Sequence, residues 1–235
     1  SGTLDLQSGH VVLGANDLHV SGSINGGSST AYVTTNGQGS LMLDIASGGS
    51  ASFPVGTDVS FAPATLVQAG GGAAGTFGVS AMNGVLSGGT TGSFMSSWGS
   101  MVDHTWHVSS DLSAGIDLTM TLEWAASQEV NGFNNAQCFI SHYTNAAWDV
   151  SATASASLNA QGNFEVTRSG ITSLSPFAVF DSATSVGIAE AEQPSISLFP
   201  NPVTTIVTYE LSGTQGNATQ IEVFDAQGKL ILSKM

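Results

Sequence analysis

The spacing of the apolar residues constrains this chain most. They fall in short runs of period two, broken every few residues by Gly, Asn and Ser. No stretch of ten or more residues carries the period of an amphipathic helix. Glycine, at 29 residues, supplies turns, and Ser and Thr fill most polar positions. The pattern predicts an all-β fold. The clearest strand runs over 116–124. Ile116, Leu118, Met120, Leu122 and Trp124 point one way, and Asp117, Thr119, Thr121 and Glu123 the other. That alternation belongs to an antiparallel sheet with one buried and one wet face. Further strands are predicted at 62–68, 76–82, 104–109, 137–143, 163–168 and 176–181, giving an antiparallel β-sandwich over residues 46–185.

Residues 1–45 carry thinner runs: TLDL, HVVL, DLHV, AYVTT and SLMLDI. The triplets Leu4–Leu6, Leu18–Val20 and Ala31–Val33 recur about every fourteen residues. They fit either β-solenoid coils or the first strands of the sandwich. The stretch SATSVGIAEAEQPS is small, polar and acidic without a β period, so 186–195 reads as a linker. Residues 196–235 then form a small second unit with strands ISLF, IVTYEL, IEVF and KLILS, and a tight turn over residues 225–228. Forty residues are few for a robust core by burial alone.

Charged residues make up 9% of the chain, against roughly 25% in an ordinary soluble domain. The net charge of −14 arises from 17 acids against three bases, Arg168, Lys229 and Lys234. Without clustered bases a chain cannot neutralise phosphates, so a nucleic-acid partner is excluded, as is a polybasic membrane patch. The hydrophobic fraction of 41% is ample for a core. No apolar run approaches the ~18–20 residues of a transmembrane segment. No signal peptide or initiator Met is visible, and the chain opens inside patterned sequence; a part of a longer polypeptide is expected. Cys138 is the sole cysteine, set in the apolar run AQCFISHY, and is expected to act as a small buried hydrophobe.

The catalytic inventory is thin. There are five histidines: His10, His19, His104, His107 and His142. His104 and His107, three apart on one strand, face opposite sides and serve one metal poorly without a third ligand such as Asp103 or His142. Strand-surface histidines are expected. Glu123 and Glu129 flank Trp124 and a loop, but solvated roles are expected for both rather than paired-carboxylate chemistry. The Gly-rich stretches at 70–75 and 87–92 lack a following helix and a Lys, so they read as turns rather than phosphate cradles. Arg168 is expected in an ion pair across the sheet. Trp98, Trp106, Trp124, Trp148, Tyr143 and Phe133 invite the idea of a sugar-stacking platform. Trp106 and Trp124 fit the core better, leaving Trp148 and Tyr143, which flank the turn in TNAAW, as glycan-contact candidates. No catalytic residue, metal site or cofactor is expected. A divalent cation such as Ca²⁺ bridging the acidic surface stays open, although no Ca²⁺ loop spacing occurs.

Two motifs in the last forty residues are specific. One is Phe199-Pro200-Asn201-Pro202 before a short strand, and the other is Phe224-Asp225 with Gly228-Lys229 in a hairpin. Together they resemble the C-terminal sorting domain (type A) of type IX secretion cargo. The resemblance implies a small Ig-like β-sandwich read by the type IX secretion machinery. That family usually runs on into further strands, so an incomplete domain is expected. Residues 50–181 resemble β-sandwich modules of large surface proteins exported by the same system. Asp181-Ser182-Ala183 is similar to a short bacterial O-glycosylation pattern, making Ser182 a candidate. The expectation is a non-catalytic C-terminal part of an extracellular, bacterial cell-surface protein, acting in adhesion, attachment or assembly of an appendage as a homo-oligomer or fibre. A carbohydrate-binding or accessory module of an enzyme lying upstream is the alternative.

Overall fold

In the computed structural model the described residues are 2–35, 38–97, 99–174 and 176–182. In the C-terminal segment they are 195–199, 208–212, 221–224 and 227–234. The chain divides into two compact units, Ser1–Gly187 and Ile188–Met235. The described residues are all-β, with no closed barrel and only three single-turn 3₁₀ segments.

The first unit opens with eight short strands: β1 (Leu4–Leu6), β2 (Val11–Val12), β3 (Leu18–Val20), β4 (Ile24–Gly26), β5 (Val33–Thr34), β6 (Leu41–Ile45), β7 (Ser50–Phe53) and β8 (Val55–Gly56). Three sets pair in parallel: β1 with β4, β2 with β5 and then β8, and β3 with β6. Leu4 lies beside Ile24, Val11 beside Val33, Leu18 beside Leu41 and Val33 beside Val55, offsets of 20, 22, 23 and 22 residues. The fourteen-residue recurrence expected from the sequence is therefore not the pairing period. Leu4–Leu6 and Leu18–Val20 belong to different parallel sets, with Val11–Val12 between them, rather than to equivalent places on two turns. Leu6, Leu13 and Val20 turn inward and are buried. Gly22 and Gly39 let the second turn settle on the first, since a Cβ on either would collide with the carbonyl oxygens of Gly2 and Asn16.

The remaining strands of this unit are β9 (Ala64–Gln68), β10 (Gly75–Asn83), β11 (Met101–Ser110), β12 (Leu118–Trp124), β13 (Glu129–Val130), β14 (Cys138–Thr144), β15 (Ala147–Trp148), β16 (Ser157–Leu158), β17 (Phe164–Ile171) and β18 (Pro176–Asp181). An eight-stranded sheet runs β15-β14-β18-β11-β10-β6-β3, with β13 also on β11, and a five-stranded sheet runs β16-β17-β12-β9-β7. Strand β6 pairs in parallel with β3 on one side and antiparallel with β10 on the other. The parallel region thus continues hydrogen bond by hydrogen bond into the antiparallel one.

Along β12 the alternation is as expected: Leu118, Met120, Leu122 and Trp124 are fully buried. They join Phe77, Val79, Trp106, Val166 and Phe177 from the other strands in one core. Trp106 Nε1 donates to Ala62 O at 2.8 Å, so the indole enters the core without an orphaned donor. A second apolar cluster, Val85, Met95, Met101, Phe139, Trp148, Ala178 and Phe180, covers the opposite face of the large sheet. Strand β18 is accordingly buried along its whole length.

In the second unit β19 (Ser195–Phe199) pairs antiparallel with β20 (Thr208–Ser212), and β21 (Ile221–Phe224) with β22 (Leu230–Lys234).

The hairpin joining β14 to β15 is a two-residue loop in which Asn145 and Ala146 both take positive φ, 52° and 62°. That geometry matches strand twist, and Asn tolerates it, but Ala bears a Cβ clash. Ala146→Gly should stabilise the first unit by about 1 kcal/mol and raise Tm by about 2–4 °C. An unchanged or lower Tm in a calorimetric scan would contradict this.

Candidate functional sites

The best-defined polar network of the first unit ties its two sheets together. Arg168, on β17 of the five-stranded sheet, grips Asp149, which follows β15 of the eight-stranded sheet. Nη1 donates to Oδ1 at 2.8 Å and Nη2 to Oδ2 at 2.6 Å. Nη1 also donates to Ile140 O at 3.0 Å. Asp149 Oδ1 accepts the His142 backbone N–H at 2.7 Å. Burial would push the Asp149 carboxyl up, but the Arg168 hydrogen bonds, the His142 N–H and the Arg168 charge together hold it below its usual range. The cross-sheet ion pair expected for Arg168 is thus present, and its geometry is structural. His142 stacks on Phe177 with ring centroids 4.4 Å apart, and burial holds its pKa below the ordinary value.

The sequence did not single out Ser60. It lies in the loop between β8 and β9, and its Oγ meets His104 Nε2 at 2.5 Å and Thr57 Oγ1 at 2.9 Å. A hydroxyl against an imidazole is the first half of a nucleophile–base pair. The second half is missing among the described residues: His104 Nδ1 is buried without a hydrogen-bond partner, so no carboxylate orients the ring. Burial lowers the His104 pKa to about 4, which keeps the imidazole neutral but makes it a weak base at neutral pH. The expectation of strand-surface histidines is corrected for His104 and His107. His104 is 4% exposed, and burial depresses His107 as well, because β11 is central in its sheet and covered on both faces.

Trp148 is also corrected. It is 3% exposed, its Nε1 donates to Leu86 O at 2.9 Å, and its ring sits edge-on to Tyr143 and Phe180. No face remains for a sugar to stack on. Its sequence position in a turn suggested exposure, but the connection between β10 and β11 folds over it. Tyr143 is half-buried beside it, against Gly89. Trp98 lies outside the described residues. Glu129 accepts the Trp124 indole N–H at 2.9 Å. Glu123 lies directly opposite Glu165 across β12 and β17. Burial and the Glu165 charge raise its pKa, against hydrogen bonds from Asn159 and Asn163. Among the described residues no group of three or more His, Cys, Asp or Glu could hold a metal ion. Cys138 is fully buried, and burial pushes its thiol up to about 11, so it stays protonated. Ser182 is exposed, and its Oγ donates to Gln137 Oε1 at 2.9 Å.

In the second unit, Phe199 pairs with Thr208 at the end of β19 and Phe224 with Leu230 beside the β21–β22 turn. Gly228 has a φ of +81°, the left-handed value a tight turn requires, and Lys229 is exposed. Pro200, Asn201, Pro202 and Asp225 lie outside the described residues. Residues 197–235 match the family model of the secretion system C-terminal sorting domain. They are a type IX sorting domain. Both sorting motifs fall inside the matched range. The sorting domain implies the type IX secretion machinery as a partner, and export to a cell-surface or secreted location. No curated protein and no solved structure matches the chain. Among the described residues no helix is long and apolar enough to cross a membrane.

Two outcomes follow from the buried polar groups. Arg168→Ala should cost about 3 kcal/mol in urea unfolding, because it strands the Asp149 carboxylate in a partly buried place. Arg168→Met with Asp149→Leu should recover much of that loss; equal losses in both variants would show that the charge is irrelevant. Stability should also fall as pH drops from about 6.5 towards 4. In that window the unfolded chain binds protons that buried His104, His107 and His142 refuse, and His104 alone accounts for about 3 kcal/mol. Asp103 and Glu123, whose pKa values are raised, act in the opposite direction as each takes up its proton. His104→Gln should flatten the profile between pH 7 and 5; an equally steep profile in the variant would refute the assignment.

Proposed function

We propose that this chain is a non-catalytic part of an exported bacterial surface protein, and that its first unit serves adhesion, attachment or assembly of an extracellular structure. The sorting domain at 197–235 carries this reading, since it commits the polypeptide to type IX export. We read the three parallel stacks as coils of a β-solenoid running into a β-sandwich, an architecture supported by pairing offsets of 20–23 residues and by a core drawn from both sheets. The polar chemistry supports a mechanical role. Arg168 is spent on a cross-sheet pair, and among the described residues no acid orients His104. The aromatic platform that would favour carbohydrate binding loses Trp148 to the core. The surface of Ser, Thr, Asn and Gly, with few Lys or Arg, offers trypsin-like proteases few cleavage points outside the cell.

Removal of residues 197–235 should leave the protein inside a type IX-secreting host, while fusion of 188–235 to a soluble reporter should send the reporter out. Fractionation and immunoblotting read both. Retention of the fusion with normal folding would show that this segment is not sufficient for sorting. Loss of cell attachment on deleting the first unit, with export of the remainder intact, tests the adhesive role. Unchanged attachment would remove it.

A further inference from the structure

Two unpaired strand edges inside the first unit line one cleft. The N–H of Leu4 donates to Ser23 O at 2.9 Å and that of Gly27 to Leu6 O at 3.4 Å, so Ser23, Asn25 and Gly27 turn their backbone groups to β1. Ile24 and Gly26 turn theirs the other way. On β7 the Gly49 carbonyl accepts from Gln68 N at 2.9 Å, and the antiparallel register with β9 then sends the backbone groups of Ser50 and Ser52 outward. Among the described residues β4 pairs only with β1, and β7 only with β9. The cleft between them measures about 230 Å³. Its origin is a difference in strand length. Val20, the last residue of β3, lies beside Leu43, but β6 runs on to Ile45 before the chain turns. Strand β7 therefore starts out of step with β4 and takes β9 as its partner. Gly27 and Pro54 close the inner end, where a Cβ on Gly27 would stand 2.6 Å from the Pro54 Cβ. The cleft lies on the edge of β4 away from β1, enclosed by residues 20–24, 43–44 and 50–52.

We infer that this cleft takes an extended peptide segment of a partner polypeptide, added as a strand between β4 and β7. A single sheet edge offers donors and acceptors on one side. Here two edges offer them, and an extended main chain presents N–H and C=O groups alternately to both walls. The walls are three and four residues long, so they grip about three residues, roughly 10 Å of chain. The volume suits that length and lies below the ~300 Å³ at which small-molecule sites begin. The floor is apolar: Val20 and Leu43 are buried, and Ile24 and Ala51 partly so. It selects small aliphatic side chains at alternate positions of the guest. Asp44 stands half-exposed at the mouth, and hydrogen bonds from Thr76 and His19 hold its carboxyl below the usual range. It selects a cationic residue next to the gripped ones. The first unit contains a single base, Arg168, which is engaged by Asp149, so a partner's Lys or Arg meets no internal competitor. This inference deepens the assembly reading and rests on it, but export does not depend on it.

The test is titration of the 235-residue chain with acetyl-Lys-Val-Ser-Val-Lys-amide, read by amide chemical shifts and hydrogen exchange at Ile24, Gly26, Ser50 and Ser52. Saturable shifts at these amides in the millimolar range are expected, with slowed exchange in the complex. The same peptide with Pro in place of its central Ser should bind about tenfold more weakly, since it loses a main-chain donor. Asp44→Asn should weaken binding roughly threefold, the scale of one exposed ion pair, and erase the preference for Lys over Ser at the peptide ends. Ser52→Pro, at an edge position whose N–H faces the cleft, should remove binding while calorimetry shows the first unit still folded. No saturable shift, or equal binding of the Pro-containing peptide, would overturn the inference. So would slow exchange at these four amides in the chain alone, which would assign the cleft to another segment of the same polypeptide. Any of these results leaves the reporter-export outcome untouched, so failure here is distinguishable from failure of the export role.

Discussion

The first unit depends on strand β6. Strands flank it in opposite senses, β3 in parallel on one edge and β10 antiparallel on the other. Leu41, Leu43 and Ile45 send their side chains into the common core while Asp44 stays outside and accepts from Thr76 and His19. If this strand slipped by one residue, its apolar set would turn to solvent, and both the stack and the large sheet would lose their register together. The parallel turns, too small to hold a core of their own, borrow stability from the antiparallel body through this one strand.

The second constraint is the scarcity of positive charge. With Arg168 the sole Arg in the chain, the fold places it where a guanidinium is worth most: bidentate, partly buried and bridging two sheets that otherwise meet through apolar contact. Elsewhere one buried acid is satisfied by neutral donors alone. Asp181, 1% exposed, accepts from Ser100 Oγ at 2.7 Å and Asn134 N–H at 2.8 Å. Low Lys and Arg content is thus compatible with burying a carboxylate, because Ser hydroxyl and backbone N–H groups do the pairing.

What could be read from the sequence follows the length of the strands. The alternation of β12 and the runs at β9, β10, β11, β14, β17 and β18 were legible because each spans five or more residues and buries at least one face. The parallel strands of two or three residues were visible as runs, but their partners were not. Pairing at a distance of 20–23 residues leaves no local signal when each run is shorter than a period. The sorting motifs were legible because turn chemistry is local: Gly228 announces its positive φ by being Gly. Ser60 and His104 lie 44 residues apart and meet only through sheet packing, and Trp148 donates to Leu86, 62 residues upstream in the loop that covers it, so no nearby residue predicted either.

Edge strands decide how such a sheet protein behaves outside the cell. Natural sheets usually guard their edges with Lys, and this chain has almost none. One end of each large sheet relies on brevity instead: β15 and β16 are two residues each and offer too few backbone groups to template a neighbour.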